Sequence, residues 1–266
     1  MNRILNIVRR LTTEQWDALV DEYQPEGAVS AATIRRVLGA YLVIALVLYA
    51  RRFVHHDIFA AVWASLPEGE DRLFYKKHIW LWTNTFIFSV PPYLYARFVL
   101  GLKLRELGFT AHRFMKHLPI YLTFVAVVFP LAVVVSDTPA FMADYPIYKD
   151  AGLSLRRLLV WEISYGLYFI ALEFFFRGFM LFGTTKAVGV LAIPIMTVPY
   201  MMLHYPKPEL ECLGSIIAGM ALGVVALRTR SILAGILIHI GIAWSMDLLV
   251  LDHRDQLLPL LEFSKP

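Results

Sequence analysis

The sequence predicts an all-α polytopic membrane bundle of about seven transmembrane helices with short interfacial helices. Three observations carry this. Of the 266 residues, 58% are hydrophobic and 17% charged, whereas soluble domains run at about 45–50% and about 25%. Mean hydropathy is +0.60, and the apolar excess gathers in segments of about 17–25 residues, the length that crosses a bilayer as a helix. Strand-like alternation is absent, which argues against a β-barrel. A soluble enzyme, an extracellular disulfide scaffold and a disordered chain are thereby excluded. The lone cysteine, Cys212, has no second thiol with which to close an intrachain disulfide. The net charge is +4. In a membrane chain Lys and Arg mainly set orientation and meet anionic headgroups, and no basic–aromatic tract suggests nucleic-acid binding.

Residues 1–36 read as an amphipathic N-terminal segment, 37–250 as the membrane domain and 251–266 as a C-terminal tail. Ile4, Leu5, Val8 and Leu11 share one helical face with Arg3, Arg9 and Arg10 mostly elsewhere. That pattern suits a basic helix in the membrane interface and a solvated tail equally. Thr12-Thr13-Glu14-Gln15 looks like a capping box opening a second helix to about Tyr23, ended by Pro25 and Gly27. No apolar core of a cleavable signal peptide is visible. Apolar spans are expected at 37–54, 78–97, 118–136, 158–183, 188–204, 212–227 and 231–250. Residues 55–66 predict a short interfacial helix ending at Pro67. Leu104–Leu118 is polar and basic and is expected on the surface. Residues 137–154 are expected to form a loop. With the N-terminus inside, 13 Lys and Arg fall in inside loops and 11 outside, a slight preference for that orientation.

Ionisable groups deep in a bilayer cost about 2.5–3.5 kcal/mol each and mark function by default. The later spans hold Glu162, Glu173, Arg177, His204, His239 and Asp247. Glu173 and Arg177 are spaced i, i+4 and so share a helical face on which they would pair. Glu162 lies three turns earlier, roughly 16 Å away, where its expected role is structural. His204 follows Tyr200 by four residues, near Pro194 and Pro199. His239 is flanked by Ile236, Leu237, Ile238, Ile240 and Ile242, so it needs a polar partner from another helix. Ser215, Gly219 and Gly223 form a stripe that reads as close helix packing, not chemistry.

Leu172-EFFFRGFM-Leu181, then YMMLH ending at His204, then GMALGVVALRTRSILAGILIH ending at His239, resemble in order and spacing the CAAX protease and bacteriocin-processing (CPBP) family. This family is also described as type II CAAX prenyl endopeptidases or Abi-like intramembrane proteases. The resemblance covers about residues 155–250. It implies a metal-free site within the membrane, in which a glutamate and a histidine activate water while a further histidine and an asparagine stabilise the oxyanion. Glu173 falls on the second glutamate of the family's Glu-Glu-x-x-x-Arg motif, Arg177 on its arginine, His204 on the second-motif histidine and His239 on the third. Tyr200 stands where phenylalanine is usual. Two positions depart: Leu172 replaces the first glutamate, and Ala243 replaces the asparagine. Loss of one oxyanion donor costs about 10²–10³ in rate. Asp247 is about 12 Å along the helix from His239 and is a poor substitute.

The expected function is an intramembrane endopeptidase with Glu173, His204 and His239 catalytic and Arg177, Tyr200 and Asp247 supporting. Glu173 and His204 would activate water and His239 would bind the oxyanion. The partners expected are a membrane-associated peptide or protein substrate and the lipid bilayer, with no cofactor. A bacterial inner membrane fits. One alternative is a catalytically degraded relative acting as membrane chaperone, scaffold or regulator, motivated by Leu172 and Ala243. Another is a zinc or haem site using Glu173, His204 and His239. A secondary transporter would show a two-half repeat, which is absent.

Overall fold

A computed structural model describes residues 9, 13–24, 29–111 and 114–261 of the chain. Among the described residues the regular structure is entirely helical. The basic helix expected over residues 1–11 and the stop at Pro25 and Gly27 lie outside the described residues, apart from Arg9.

The helices are α1 (Thr13–Glu22), α2 (Ala31–Tyr49), α3 (His55–Ser65), α4 (Arg72–Phe98), α5 (Phe114–Ser136), α6 (Pro139–Asp144), α7 (Leu155–Glu173), α8 (Gly183–Val188), α9 (Ala192–Met202), α10 (Glu209–Thr229), α11 (Leu233–His253) and α12 (Leu257–Leu261). Two wider, π-helical stretches interrupt the pattern: Ala50–Val54 after α2, and Phe174–Phe182 after α7. The helix expected at residues 55–66 is α3.

Five helical runs are long and apolar enough to cross a membrane: Ala31–Phe53, Phe114–Ser136, Leu155–Met202, Glu209–Thr229 and Leu233–His253. The expected seven is not confirmed, for two physical reasons. The expected spans 158–183 and 188–204 are one 48-residue helical run, because the π-helical stretch and a single 3-10 turn at Gly189–Leu191 carry the chain from α7 into α9. Gly189, at φ 60°, takes the left-handed turn between them. The expected span 78–97 lies in α4, which the charged Arg72, Lys76 and Lys77 and the polar Thr83, Asn84 and Thr85 make less apolar than the other five.

The chain forms two compact units. The first combines the described parts of residues 1–44 and 92–112 with residues 174–233. Here α10 lies along α9. A Cβ on Gly219 would sit 2.8 Å from Thr197 Cγ2, and one on Gly223 would sit 2.9 Å from Ile193 Cγ2. The small-residue stripe is thus a packing surface. Helix α1 is docked on this unit. Leu19 is fully buried in a cluster with Leu181, Val190, Ile193 and Leu227. The Tyr23 hydroxyl donates to the Leu227 carbonyl at 2.9 Å, Arg228 donates to the Gln15 carbonyl at 2.7 Å, and Arg230 pairs with Glu22 at 3.1 Å. Burial pushes the Tyr23 phenol above its usual range. A solvated tail does not describe this helix.

The segment expected on the surface after Leu104 is exposed at Leu104, Arg105 and Glu106 and turns inward at Leu107 and Gly108. Leu107 is buried, and Gly108 adopts φ 87°. Its carbonyl accepts from Ile232 N at 2.9 Å. A Cβ at Gly108 would meet Ile232 Cγ2 at 2.8 Å, so the turn depends on glycine for both its conformation and its closeness.

The second unit combines residues 45–91, the described part of 113–173 and that of 234–266. Its centre is an antiparallel pair, α7 against α11. Gly166 opposes Ile240 and Trp244, and the Trp244 indole donates to the Glu162 carbonyl at 2.9 Å. Aromatic rings on α7, including Tyr168, meet Trp80 and Phe88 of α4. The stretch 137–154, expected as a loop, contains α6 and a 3-10 turn at Lys149–Leu153. Buried Phe141, Tyr145, Tyr148 and Ala151 hold it down, and Arg254 donates to the carbonyls of Met142 and Tyr145.

Candidate active site

The second unit brings two of the sequence-selected residues together. Glu173 is the last residue of α7, and His239 lies two turns into α11. His239 Nδ1 donates to Glu173 Oε1 at 2.8 Å. The carboxylate side chain is 0% exposed and the imidazole 17%. The partner that an isolated histidine in an apolar helix requires is therefore this glutamate.

Three features fix the pair. Phe169, one turn before Glu173, stacks on the His239 ring with centroids 4.4 Å apart and planes at 27°. Gly235, one turn before His239, leaves room for the carboxylate: a Cβ there would lie 2.5 Å from Glu173 Oε2. Gly235 is also in the first turn of α11, where the partial positive charge of a helix N-terminus suits a carboxylate. With Nδ1–H committed to Glu173, the neutral imidazole carries its lone pair on Nε2. That is the arrangement of a histidine base oriented by an acid.

Further along the same two helices lies a second polar layer. The Trp161 indole donates to Asp247 Oδ2 at 2.9 Å, and the Glu162 carboxyl neighbours Asp247. Asp247 and Glu162 are both buried. Asp247 thus lies between α7 and α11, eight residues from His239, with Glu162 beside it.

In the first unit, Arg177, Tyr200 and His204 come together. The Arg177 guanidinium lies 4.2 Å from the Tyr200 ring centre, a cation–π contact with both side chains buried. The Phe176 ring meets Tyr200 edge-on. The Tyr200 and His204 rings are 4.9 Å apart, and His204 Nδ1 donates to the Tyr200 carbonyl at 2.9 Å. That bond orients Nε2 of His204 as the ring's other functional nitrogen. Among the described residues, no three His, Cys, Asp or Glu side chains form a group able to hold a metal ion.

Residues 155–245 match the family model described as Rce1-like, type II CAAX prenyl endopeptidase. That segment is similar to the CPBP family. It is about a third of the chain, and it contains α7, the π-helical stretch, α9, α10 and the part of α11 that bears His239. No curated protein and no solved structure matches the chain. Five helices are long and apolar enough to cross a membrane, and the matched segment is similar to a family of membrane endopeptidases; the chain is an integral multi-pass membrane protein. Within the CPBP segment, Leu172 and Ala243, which replace a glutamate and an asparagine of the family pattern, are both buried.

Sequence reasoning did not single out Phe169 or Gly235. The i−4 spacing of each from a chosen ionisable residue, Phe169 from Glu173 and Gly235 from His239, was the available signal. Which helix each would face was not readable.

Proposed function

We propose that this protein is an intramembrane endopeptidase whose acid–base pair is Glu173 and His239. The 2.8 Å bond between His239 Nδ1 and the buried Glu173 carboxylate is the observation that carries the reading. Glu173 holds the imidazole in one tautomer and balances the imidazolium that forms. His239 Nε2 takes a proton from water, and the resulting hydroxide attacks the scissile carbonyl carbon. The tetrahedral oxyanion collapses as the same nitrogen returns the proton to the departing amide nitrogen. One water is consumed, and a carboxylate and an amine are released.

These roles differ from those expected from the sequence, where Glu173 and His204 activate water and His239 binds the oxyanion. With Leu172 in place of the first glutamate, a histidine base needs only the carboxylate that is present. The substrate proposed is a membrane-associated peptide, of which a prenylated C-terminal peptide is the form the family description suggests.

The test is hydrolysis of a farnesylated peptide ending in a CAAX sequence, by purified protein in liposomes. Glu173→Gln supplies an amide that no longer enforces the tautomer, and in serine-protease triads the equivalent exchange costs about 10⁴ in kcat. A loss of that order is expected. The second reading, a non-catalytic relative that holds or regulates a membrane partner, rests on the buried apolar Leu172 and Ala243. It requires that Glu173→Gln leave the biological phenotype intact while Gly219→Leu removes it.

A further inference from the structure

We infer that Gly235 is a positioning residue for the Glu173–His239 pair, an inference that rests on the acid–base reading for its catalytic consequence and on geometry alone for its structural one. Gly235 and His239 are four residues apart and share the face of α11 that meets α7. A Cβ at position 235 would lie 2.5 Å from Glu173 Oε2, 3.2 Å from Cδ and 3.8 Å from Oε1. Any side chain there, including the smallest, collides with the carboxylate oxygen and crowds the carboxylate carbon, so the carboxylate must shift. The backbone itself asks nothing of this glycine, which sits in helical conformation within α11.

The carboxylate has little room to retreat. Glu173 is fully buried, and Phe169, one turn earlier on its own helix, is occupied by the His239 ring. Moving Oε2 to an ordinary contact distance turns the group about its own stem. That takes Oε1 off the line of the Nδ1–H bond. Glycine at 235 is therefore what allows the Glu173 carboxylate to end against α11 and still meet an imidazole on the same face. Gly166, on α7, has a different role: a Cβ there would be 3.3 Å from Trp244 Cζ2, a ring edge able to give way.

The experiment uses full-length protein in liposomes and four forms: wild type, Gly235→Ala, Glu173→Ala, and the double variant. Thermal unfolding is read for all four, and hydrolysis of the farnesylated CAAX peptide for the first two. Gly235→Ala is expected to lower kcat about 10²-fold, the usual cost of an ångström-scale misplacement, with KM unchanged. It is also expected to lower the unfolding midpoint in the wild-type background but not in the Glu173→Ala background, where the collision is gone. An equal fall in both backgrounds makes Gly235 a general packing glycine and overturns the inference. So does Gly235→Ala with wild-type kcat. If wild-type protein hydrolyses no peptide, the endopeptidase reading fails, and the unfolding cycle alone still decides whether Gly235 positions Glu173.

Discussion

Leu19→Ala tests whether helix α1 belongs to the protein or to the membrane surface. Leu19 is 0% exposed and touches a cluster built from the π-helical stretch, α9 and α10. Truncating such a leucine costs about 2.7–5.0 kcal/mol in a well-packed core. The other contacts are smaller. The Tyr23 hydrogen bond is worth about 0.5–1.5 kcal/mol, and the exposed Arg230–Glu22 pair about 0–1 kcal/mol. Leu19 therefore outweighs either polar contact in the docking. The lower figure, about 2.7 kcal/mol, corresponds to about a 10²-fold fall in protection, at about 1.4 kcal/mol per decade. Amide exchange read by mass spectrometry on protein in lipid nanodiscs should show this fall over Thr13–Glu22. Helix α10 should keep its protection, because local opening of α1 leaves it packed on α9. Tyr23→Phe should cost a few-fold in the same peptide. Unchanged protection in Leu19→Ala, together with loss on replacing lipid by detergent, would mean that lipid and not the protein holds this helix.

Other outcomes follow from the site and its supports. Phe169→Leu removes the stack on His239, a contact worth about 0.5–1.5 kcal/mol, and should lower kcat by about 2- to 13-fold while the protein stays folded; unchanged turnover would show that the Glu173 bond alone fixes the ring. Gly219→Leu places a side chain where even a Cβ meets Thr197 and Tyr200 within 3.1 Å. It should lower the unfolding midpoint sharply in differential scanning fluorimetry, and a midpoint within one degree of wild type would refute the close α9–α10 packing.

The fold class was legible because a run of apolar residues has few fates: length and composition assign it to the bilayer. The π-helical stretch within residues 155–202 was not legible. Phe174–Phe182 contains neither proline nor a helix-stopping pair, so nothing local marks the change from α to π geometry. The N-terminal segment read equally as an interfacial helix or a solvated tail, because nothing in α1 names the helices on which it packs. His239 announced its need for a partner through its apolar neighbours, but the sequence did not say which helix would supply it. The structure supplied that partner by running α7 antiparallel to α11. The same pairing places Asp247 beside Trp161, a contact invisible while the neighbouring helices were unknown. Gly235 was silent for a simple reason: a glycine in an apolar helix reads as packing until the atom facing it is known.

The central claim is that Glu173, acting through His239, cleaves a peptide bond. The most direct measurement compares new protein termini by mass spectrometry in membranes containing wild type or Glu173→Gln, both confirmed as folded and inserted. The account predicts termini that appear with wild type and disappear with Glu173→Gln. Identical termini from the two proteins would contradict it and favour the non-catalytic reading in which Leu172 and Ala243 mark lost chemistry.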